Sequence, residues 1–120
     1  MQDFKLGAVE SRFADLIWSH APISTGDLVR LCQSELSWKR TTTYTVLKRL
    51  CERGIFQTQD STVTPLLSRT EFYARQSEQF VEQSFDGSLP AFLAAFTTRK
   101  RLSPEEISEI RRMIDDCEKE

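Results

Sequence analysis

Apolar residues recur at helical spacing in the first part of the chain. A first segment runs from Leu6 to Trp18, and Pro22 ends it because proline disfavours a helical residue before it. Ser24 followed by Asp27 has the form of an N-cap with an acidic residue three positions on. This pattern predicts that a second helix begins directly after the first.

A third segment has one apolar face and one polar face. The spacing i, i+3, i+4, i+7 of a buried helix face is met by Thr43, Val46, Leu47 and Leu50. Gly54 follows, and glycine can take the left-handed conformation that ends a helix without a Cβ clash. A third helix is therefore predicted from about residue 40 to Gly54.

Two short β-prone runs come next, residues 55–59 and 62–64, separated by the turn-like pair Asp60 and Ser61. Three helices followed by a hairpin are the order of a winged helix-turn-helix, in which the helix after the turn enters the major groove of DNA. The sequence thus predicts an N-terminal winged-helix domain over residues 1–68, with the hairpin as its wing.

The second half has three helix starts. Ser68 to Glu71 forms a capping box, and this helix ends at Gly87; Leu89 opens a short apolar segment; Ser103 to Glu106 combines a capping box with proline at the first helical position. The predicted fold is mainly α, with a C-terminal helical region over residues 69–120.

The apolar stripes of these C-terminal helices need a covering partner. The helices are too short, and too aromatic along one side, to hide their stripes in a monomer. We expect them to pack against the same helices of a second chain; folding back onto the first domain is the alternative. The predicted dimer contact consists of Phe92, Leu93, Phe96, Ile107, Ile110, Met113 and Ile114.

Positive charge is concentrated around the third helix. Residues 37–54 hold five basic side chains and one acidic, whereas the whole chain has a net charge of −2 and residues 69–120 hold 11 acidic and 8 basic side chains. A basic helix face rich in hydroxyl groups suits the major groove; a merely solvated surface is the alternative. We assign Arg40, Thr41 and Tyr44 to base edges. The residues assigned to phosphates or groove walls are Thr42, Thr45, Lys48 and Arg49.

Enzymatic chemistry finds little support in the composition. Four glycines form no phosphate-cradling loop, and His20 is the only histidine. Cys32, Cys51 and Cys117 lack metal-ligand spacing, so we expect no metal, no cofactor and a reducing cytoplasmic environment. Redox sensing at Cys117 is the alternative role for that thiol. No apolar run approaches the ~20 residues that span a bilayer.

Several motifs resemble the BlaI/MecI penicillinase-repressor family, which includes copper-responsive CopY relatives. The resemblance covers nearly the whole chain. Its most specific part is the third helix, whose threonine-rich start comes four residues after a tryptophan and whose last part contains Leu-Lys-Arg-Leu. The matching stretches are Leu6–Glu10, Ile17–Trp18, Pro22–Ser24, Trp38, Thr42–Leu50 and Gly54–Ile55. The family implies a bacterial homodimeric repressor with an N-terminal winged helix and C-terminal dimerisation helices.

The family also implies a mode of induction. In several members a membrane sensor-protease responds to β-lactam, and cleavage in the C-terminal part of the repressor relieves repression. The scissile Asn-Phe pair of those members corresponds here to Ala95 and Phe96. We expect residues 94–101 to join two helices, so that this candidate cleavage site is open to a protease.

This chain differs from members of the family in two further features. The chain ends with Cys117 alone rather than with clustered Cys-x-Cys pairs, which argues against a copper switch. No lysine or arginine lies between Gly54 and Pro65, although family wings are often basic. A wing contact with DNA would therefore use Gln57, Gln59, Ser61, Thr62 or backbone amides.

The prediction for function is a DNA-binding transcriptional repressor, not an enzyme, that acts as a homodimer on a palindromic operator. The resemblance implies a β-lactamase or penicillin-resistance type operon, with double-stranded DNA and a membrane sensor-protease as partners. The alternative is a winged-helix module for protein–protein interaction without DNA, since a fold alone does not determine a function.

Overall fold

Residues 4–119 are described by the computed structural model; residues 1–3 and 120, the ends of the two predicted domains, lie outside the described part. The predicted mainly α fold, with a winged helix-turn-helix followed by a helical region, is confirmed. The elements are α1 (Ala8–His20), β1 (Ile23–Ser24), α2 (Thr25–Leu36), α3 (Arg40–Glu52), β2 (Phe56–Gln59), β3 (Thr62–Pro65), α4 (Arg69–Phe85), α5 (Leu89–Arg99) and α6 (Pro104–Glu118).

The predicted helix starts rest on side-chain caps. The Ser24 hydroxyl accepts a hydrogen bond from the Asp27 amide at 3.0 Å and opens α2. At α6 the bonds are reciprocal, because the Ser103 hydroxyl accepts from the Glu106 amide while the Glu106 carboxylate accepts from the Ser103 amide. Each cap satisfies a first-turn N–H that the helix itself leaves without a partner.

The wing is a tight antiparallel hairpin. Asp60 and Ser61 both have positive φ angles, 53° and 59°, as expected of a two-residue turn whose twist matches that of the strands. The sheet order is β1-β3-β2, and Ile23 pairs with Val63. The hairpin was predicted, whereas β1 was not, since two residues are too short to show a strand periodicity.

The first residues of α4 pack into the hydrophobic core of the winged helix. Phe72 is fully buried, and its ring centroid lies 5.9 Å from that of Phe4 and 5.5 Å from that of Trp18. A first compact unit accordingly extends to Gln79, and a second begins at Phe80, inside α4. The division into domains 1–68 and 69–120 stays a prediction.

The second unit is held by aromatic contacts. The Phe92 ring lies 6.1 Å from Phe80, 5.6 Å from Phe85 and 6.0 Å from Phe96, measured between centroids. α4 ends at Phe85, two residues before the predicted stop at Gly87, whose φ of 80° suits glycine. Neither α5 nor α6 contains a fully buried residue, so the described chain leaves much of their apolar surface exposed.

Candidate nucleic-acid interface

The two faces of α3 are as predicted. Its inner face is buried, and the one polar residue there, Thr43, donates a hydrogen bond from its hydroxyl to the Lys39 carbonyl at 3.3 Å. A buried hydroxyl with a partner avoids the cost of an unsatisfied polar group. All the residues predicted to contact DNA are exposed, namely Arg40, Thr41, Thr42, Tyr44, Thr45, Lys48 and Arg49.

The exposed face divides into a centre and two edges. At about 100° per residue, Thr41, Thr45 and Lys48 point directly away from the core. Arg40 and Tyr44 lie on the edge that faces the start of α2 and the wing. Thr42 and Arg49 lie on the opposite edge, which faces α1. The centre and the two edges of this face have different neighbours, so their side chains differ in how accessible they are to a ligand.

The wing edge is fixed by one contact within α3 and by one from the start of α2. The Arg40 guanidinium lies over the Tyr44 ring, 5.5 Å from its centroid. The Thr25 side chain hydrogen-bonds the Tyr44 phenol and, with the positive charge of Arg40 nearby, lowers the pKa of Tyr44. Sequence reasoning missed Thr25, because no local pattern indicates which residue the start of α2 presents to α3.

The opposite edge is partly engaged. Arg49 Nη1 lies 3.2 Å from Glu10 Oε2, and the side chain of Arg49 is 55% exposed. Arg53, one turn further, donates to the Lys5 carbonyl at 2.7 Å. Arg49 was predicted to contact phosphate; in the DNA-free protein its guanidinium is held by α1. Glu10 therefore competes with any anion that Arg49 could bind.

The first turn of α3 keeps polar groups available. Lys39 is its N-cap, and no side chain caps the amides of that turn. Unpartnered N–H groups at a helix start, together with the helix dipole, favour an anion such as a DNA phosphate. The Thr45 hydroxyl, by contrast, already donates to the Thr41 carbonyl at 2.8 Å, which limits its use as a donor to DNA.

The wing is pinned beside α3 but carries no positive charge. The Thr25 amide donates to the Ser61 carbonyl at 2.9 Å, and Gln57 Nε2 donates to Thr64 Oγ1 at 3.3 Å. Gln59 is exposed near the tip. Of the wing residues considered from the sequence, Gln57 is thus engaged across the hairpin, whereas Gln59 has an accessible side chain.

The predicted dimerisation residues all lie on α5 and α6, where Phe96, Met113 and Ile114 are 44%, 59% and 53% exposed. The remaining members are partly buried: Phe92, Leu93, Ile107 and Ile110. Exposed apolar side chains at helical spacing are compatible with a protein contact.

The segment around the candidate cleavage site differs from the expectation. Residues 94–99 belong to α5, so Ala95 and Phe96 lie within a helix, and the connection to α6 is confined to residues 100–103. The helix continues to Arg99, and the Thr97 and Thr98 hydroxyls donate hydrogen bonds to the carbonyls of Leu93 and Ala94, one turn back. The sequence interpretation of residues 94–101 as a joining segment was wrong.

The cysteines are separate from one another. Cys32 is buried and Cys117 exposed, and burial raises the pKa of the Cys32 thiol. Among residues 4–119, histidine, cysteine and carboxylate side chains form no group of three that could hold a metal ion. In the same range, every helix is too short or too polar to cross a membrane.

A three-helix unit with a hairpin wing and an exposed basic third helix defines a transcription regulator of the winged-helix class. A sequence model of the penicillinase repressor family matches residues 6–116. The chain belongs to the penicillinase repressor family.

Two relatives show the extent of the similarity. The penicillinase repressor of Bacillus licheniformis is 22% identical over 116 residues, covering 93% of this chain and 91% of the relative. The methicillin resistance regulatory protein MecI of Staphylococcus aureus is 22% identical over 116 residues, covering 93% of this chain and 94% of the relative. These relatives bear the names of a repressor and a regulatory protein, not of enzymes, and the match spans both compact units.

Proposed function

We propose that this transcriptional repressor binds a palindromic operator as a homodimer and places α3 of each subunit in the major groove. The observation that carries the proposal is the outer face of α3, where basic and hydroxyl side chains are exposed while the opposite face anchors the helix in the core. An anchored helix can present its side chains in a fixed register to base edges. Family membership supports repression as the outcome.

The centre and the two edges of the exposed face of α3 suggest distinct roles. Arg40, held over Tyr44 at the wing edge, is directed by its neighbour and suits the bidentate recognition of guanine. Thr41 and Tyr44 complete the set proposed for base edges. Lys48, in the centre of the face, suits a phosphate because an ammonium group acts as a point charge. Thr42, Thr45 and Arg49 complete the phosphate set, with Arg49 released from Glu10 on binding.

Dimerisation is proposed through α5 and α6. The absence of fully buried residues in either helix supports it, because burial of such side chains against a second chain stabilises by about 1.5–3 kcal/mol each. A two-fold arrangement presents two copies of α3 to two half-sites, which is why a palindromic operator is expected. The contact set is the one predicted from the sequence.

For regulation, we propose control of a penicillin-resistance type operon and relief by proteolysis between Ala95 and Phe96. The names of the relatives support the operon class. A cut there would detach α6 from the DNA-binding unit, and loss of the linked second half-site commonly lowers affinity by ~10²–10⁴. A membrane sensor-protease must first unwind part of α5 and break the contacts that Phe96 is proposed to make with the second chain.

An electrophoretic shift assay tests the proposal. The duplex is the upstream region of the protein's own gene, and a scrambled duplex of equal length and composition is the control. We expect a retarded complex with the first at protein concentrations that leave the second unbound, at physiological salt. Equal binding to both, or to neither, would contradict operator recognition and favour the protein-interaction alternative.

Truncation tests the regulatory part. A chain ending at Ala95 should sediment as a monomer and release the operator at physiological salt, whereas the full chain stays dimeric and bound. If the truncated chain still dimerises and binds with unchanged affinity, cleavage at this bond is not the switch.

A further inference from the structure

A cavity of about 290 Å³ opens between the wing and the wing edge of α3. Its walls come from three elements: Thr25 at the start of α2, Thr58 on β2, and the α3 residues Tyr44, Leu47, Lys48 and Cys51. The volume is at the lower end of the range for ligand sites in proteins, so the cavity suits a small molecule rather than a peptide.

The residues that line the cavity indicate which kind of small molecule it favours. Most of the accessible wall is apolar, and the Tyr44 ring supplies a face against which a flat ring can stack. Lys48 is the one charged residue among the six, and none of them carries a carboxylate. An anionic group on a ligand would therefore meet a cation without meeting a like charge.

The polar groups inside are largely committed to one another. The Tyr44 phenol is hydrogen-bonded by Thr25, and Cys51 Sγ lies 3.7 Å from Thr58 Oγ1. A ligand gains little by presenting many polar groups to such a wall, because it would have to replace existing bonds. Lys48 is the one lining residue whose side chain carries a positive charge for a ligand carboxylate.

We propose that this cavity binds a small aromatic carboxylate of one or two rings, with the ring between Tyr44 and Leu47 and the carboxylate on Lys48. Tyr44 and Lys48 both belong to the face assigned to DNA, so the ligand and the duplex compete for the same side chains. The small molecule is then an antagonist of DNA binding that acts on the recognition helix itself. The competition, but not the binding site, rests on the proposed function.

The experiment titrates the uniformly ¹⁵N-labelled full chain with 2-naphthoate and follows backbone amide shifts. We expect changes concentrated at Thr25, Lys48, Cys51 and Thr58. Naphthalene-2-methylamine, which has the same rings and the opposite charge, is the matched control ligand and should leave these amides unchanged. Equal shifts with both compounds, or no shifts with 2-naphthoate, would overturn the proposal.

Variants test the two halves of the site. Lys48→Met keeps the apolar stem and removes the charge, and should weaken 2-naphthoate binding about tenfold, the loss expected for one charge-assisted hydrogen bond. Lys39→Met makes the same change outside the cavity and should bind as the unaltered chain does. Thr58→Phe, at an exposed strand position that tolerates an aromatic side chain, should fill the cavity and abolish binding. Unchanged affinity in Lys48→Met or Thr58→Phe would contradict the assignment.

The coupling is measured separately, with a fluorescent 20-base-pair duplex of arbitrary sequence at low salt. Increasing 2-naphthoate should raise the apparent dissociation constant of the duplex in proportion to the 2-naphthoate concentration, and increasing duplex should likewise raise that of 2-naphthoate. If 2-naphthoate shifts the amide signals but does not displace DNA, the binding site is supported and the proposed competition with DNA is contradicted. Failure of the chain to bind any duplex would instead contradict the proposed function.

Discussion

Arg49 on α3 forms an ion pair with Glu10 on α1, with 3.2 Å between Nη1 and Oε2. The same carboxylate, through Oε1, accepts a hydrogen bond from the Gly7 amide at the start of α1. One acidic side chain thus serves as helix cap and as counter-ion to a residue proposed to contact phosphate. It links the face of α3 that is proposed to bind DNA to the start of the first helix.

Replacing Glu10 with glutamine should strengthen DNA binding. Glutamine can still cap α1, but it removes the ion pair that Arg49 must break before it contacts a phosphate, so the free energy of duplex binding should improve by about 0.2–1 kcal/mol. Glu71→Gln removes the same charge from an exposed pair with Arg75 and is the control. Binding to a duplex of arbitrary sequence across a salt series measures both. An equal gain in affinity in the two variants would show a general charge effect.

Replacing Arg40 or Lys48 with alanine should affect DNA binding in different ways. Arg40→Ala should cost roughly 1–3 kcal/mol of operator binding and relax sequence preference, because it removes a base contact. Lys48→Ala should weaken operator and scrambled duplex alike and reduce the salt slope by about one. Fluorescence anisotropy measures, for the operator and for the scrambled duplex, the ratio of the variant's dissociation constant to that of the unaltered protein. Equal losses on the two duplexes for Arg40→Ala would remove Arg40 from the base-reading set.

The Arg69 side chain joins α4 to α1 through several contacts. Its guanidinium donates to the Asp15 carboxylate and carbonyl, each at 3.2 Å, and to the Ser19 hydroxyl at 3.1 Å, and it lies 5.9 Å from the Trp18 ring centroid. Arg69→Ala should lower the free energy of unfolding by about 1 kcal/mol, since each contact is half exposed and worth only a few tenths.

Urea unfolding measures that loss, with Arg30→Ala as control. Arg30 pairs with Asp27 on its own helix surface, where both side chains are exposed, and its removal should leave the free energy of unfolding nearly unchanged. Arg69→Lys should recover little, because an ammonium cannot reproduce the guanidinium fork. Full recovery by lysine would show that only the charge matters.

A charge on the inner face of α6 should prevent dimerisation. Ile110→Asp would leave a carboxylate unpaired in an apolar contact, so we expect a monomer that keeps its helical circular dichroism and loses operator affinity. Ser108→Asp, on the opposite face of α6, should remain dimeric. Sedimentation equilibrium distinguishes the two, and a dimeric Ile110→Asp variant would exclude this surface.

Limited proteolysis should locate the most accessible part of the second unit. Trypsin should cut after Lys100 or Arg101, outside the helices, before it cuts after Arg111 or Arg112 within α6. Proteases bind extended chain, so a helical site must first unwind. Mass spectrometry of early digests gives the order. Earlier cleavage in α6 would mean that α6 unwinds before the connection is cut.

Local patterns were sufficient for the order of the helices and the hairpin, but not for the two-residue strand β1. The caps at Ser24 and Ser103 and the turn at Asp60 and Ser61 act between residues at most three positions apart, so a reader of the sequence can recognise them. The buried face of α3 followed from the helical period alone. The same period placed its basic residues outward, so the exposure of the residues proposed to contact DNA could be predicted.

Contacts between distant residues were decided only by the tertiary structure. Glu10 meets Arg49, Phe72 joins the core beside Phe4, and the wing closes a cavity against α3. Pairing across such separations depends on how whole helices pack, and packing is set by the summed shape of many side chains rather than by any local pattern. For this reason the sequence by itself determined which face of α3 is exposed, and tertiary packing decided which of its residues are already engaged.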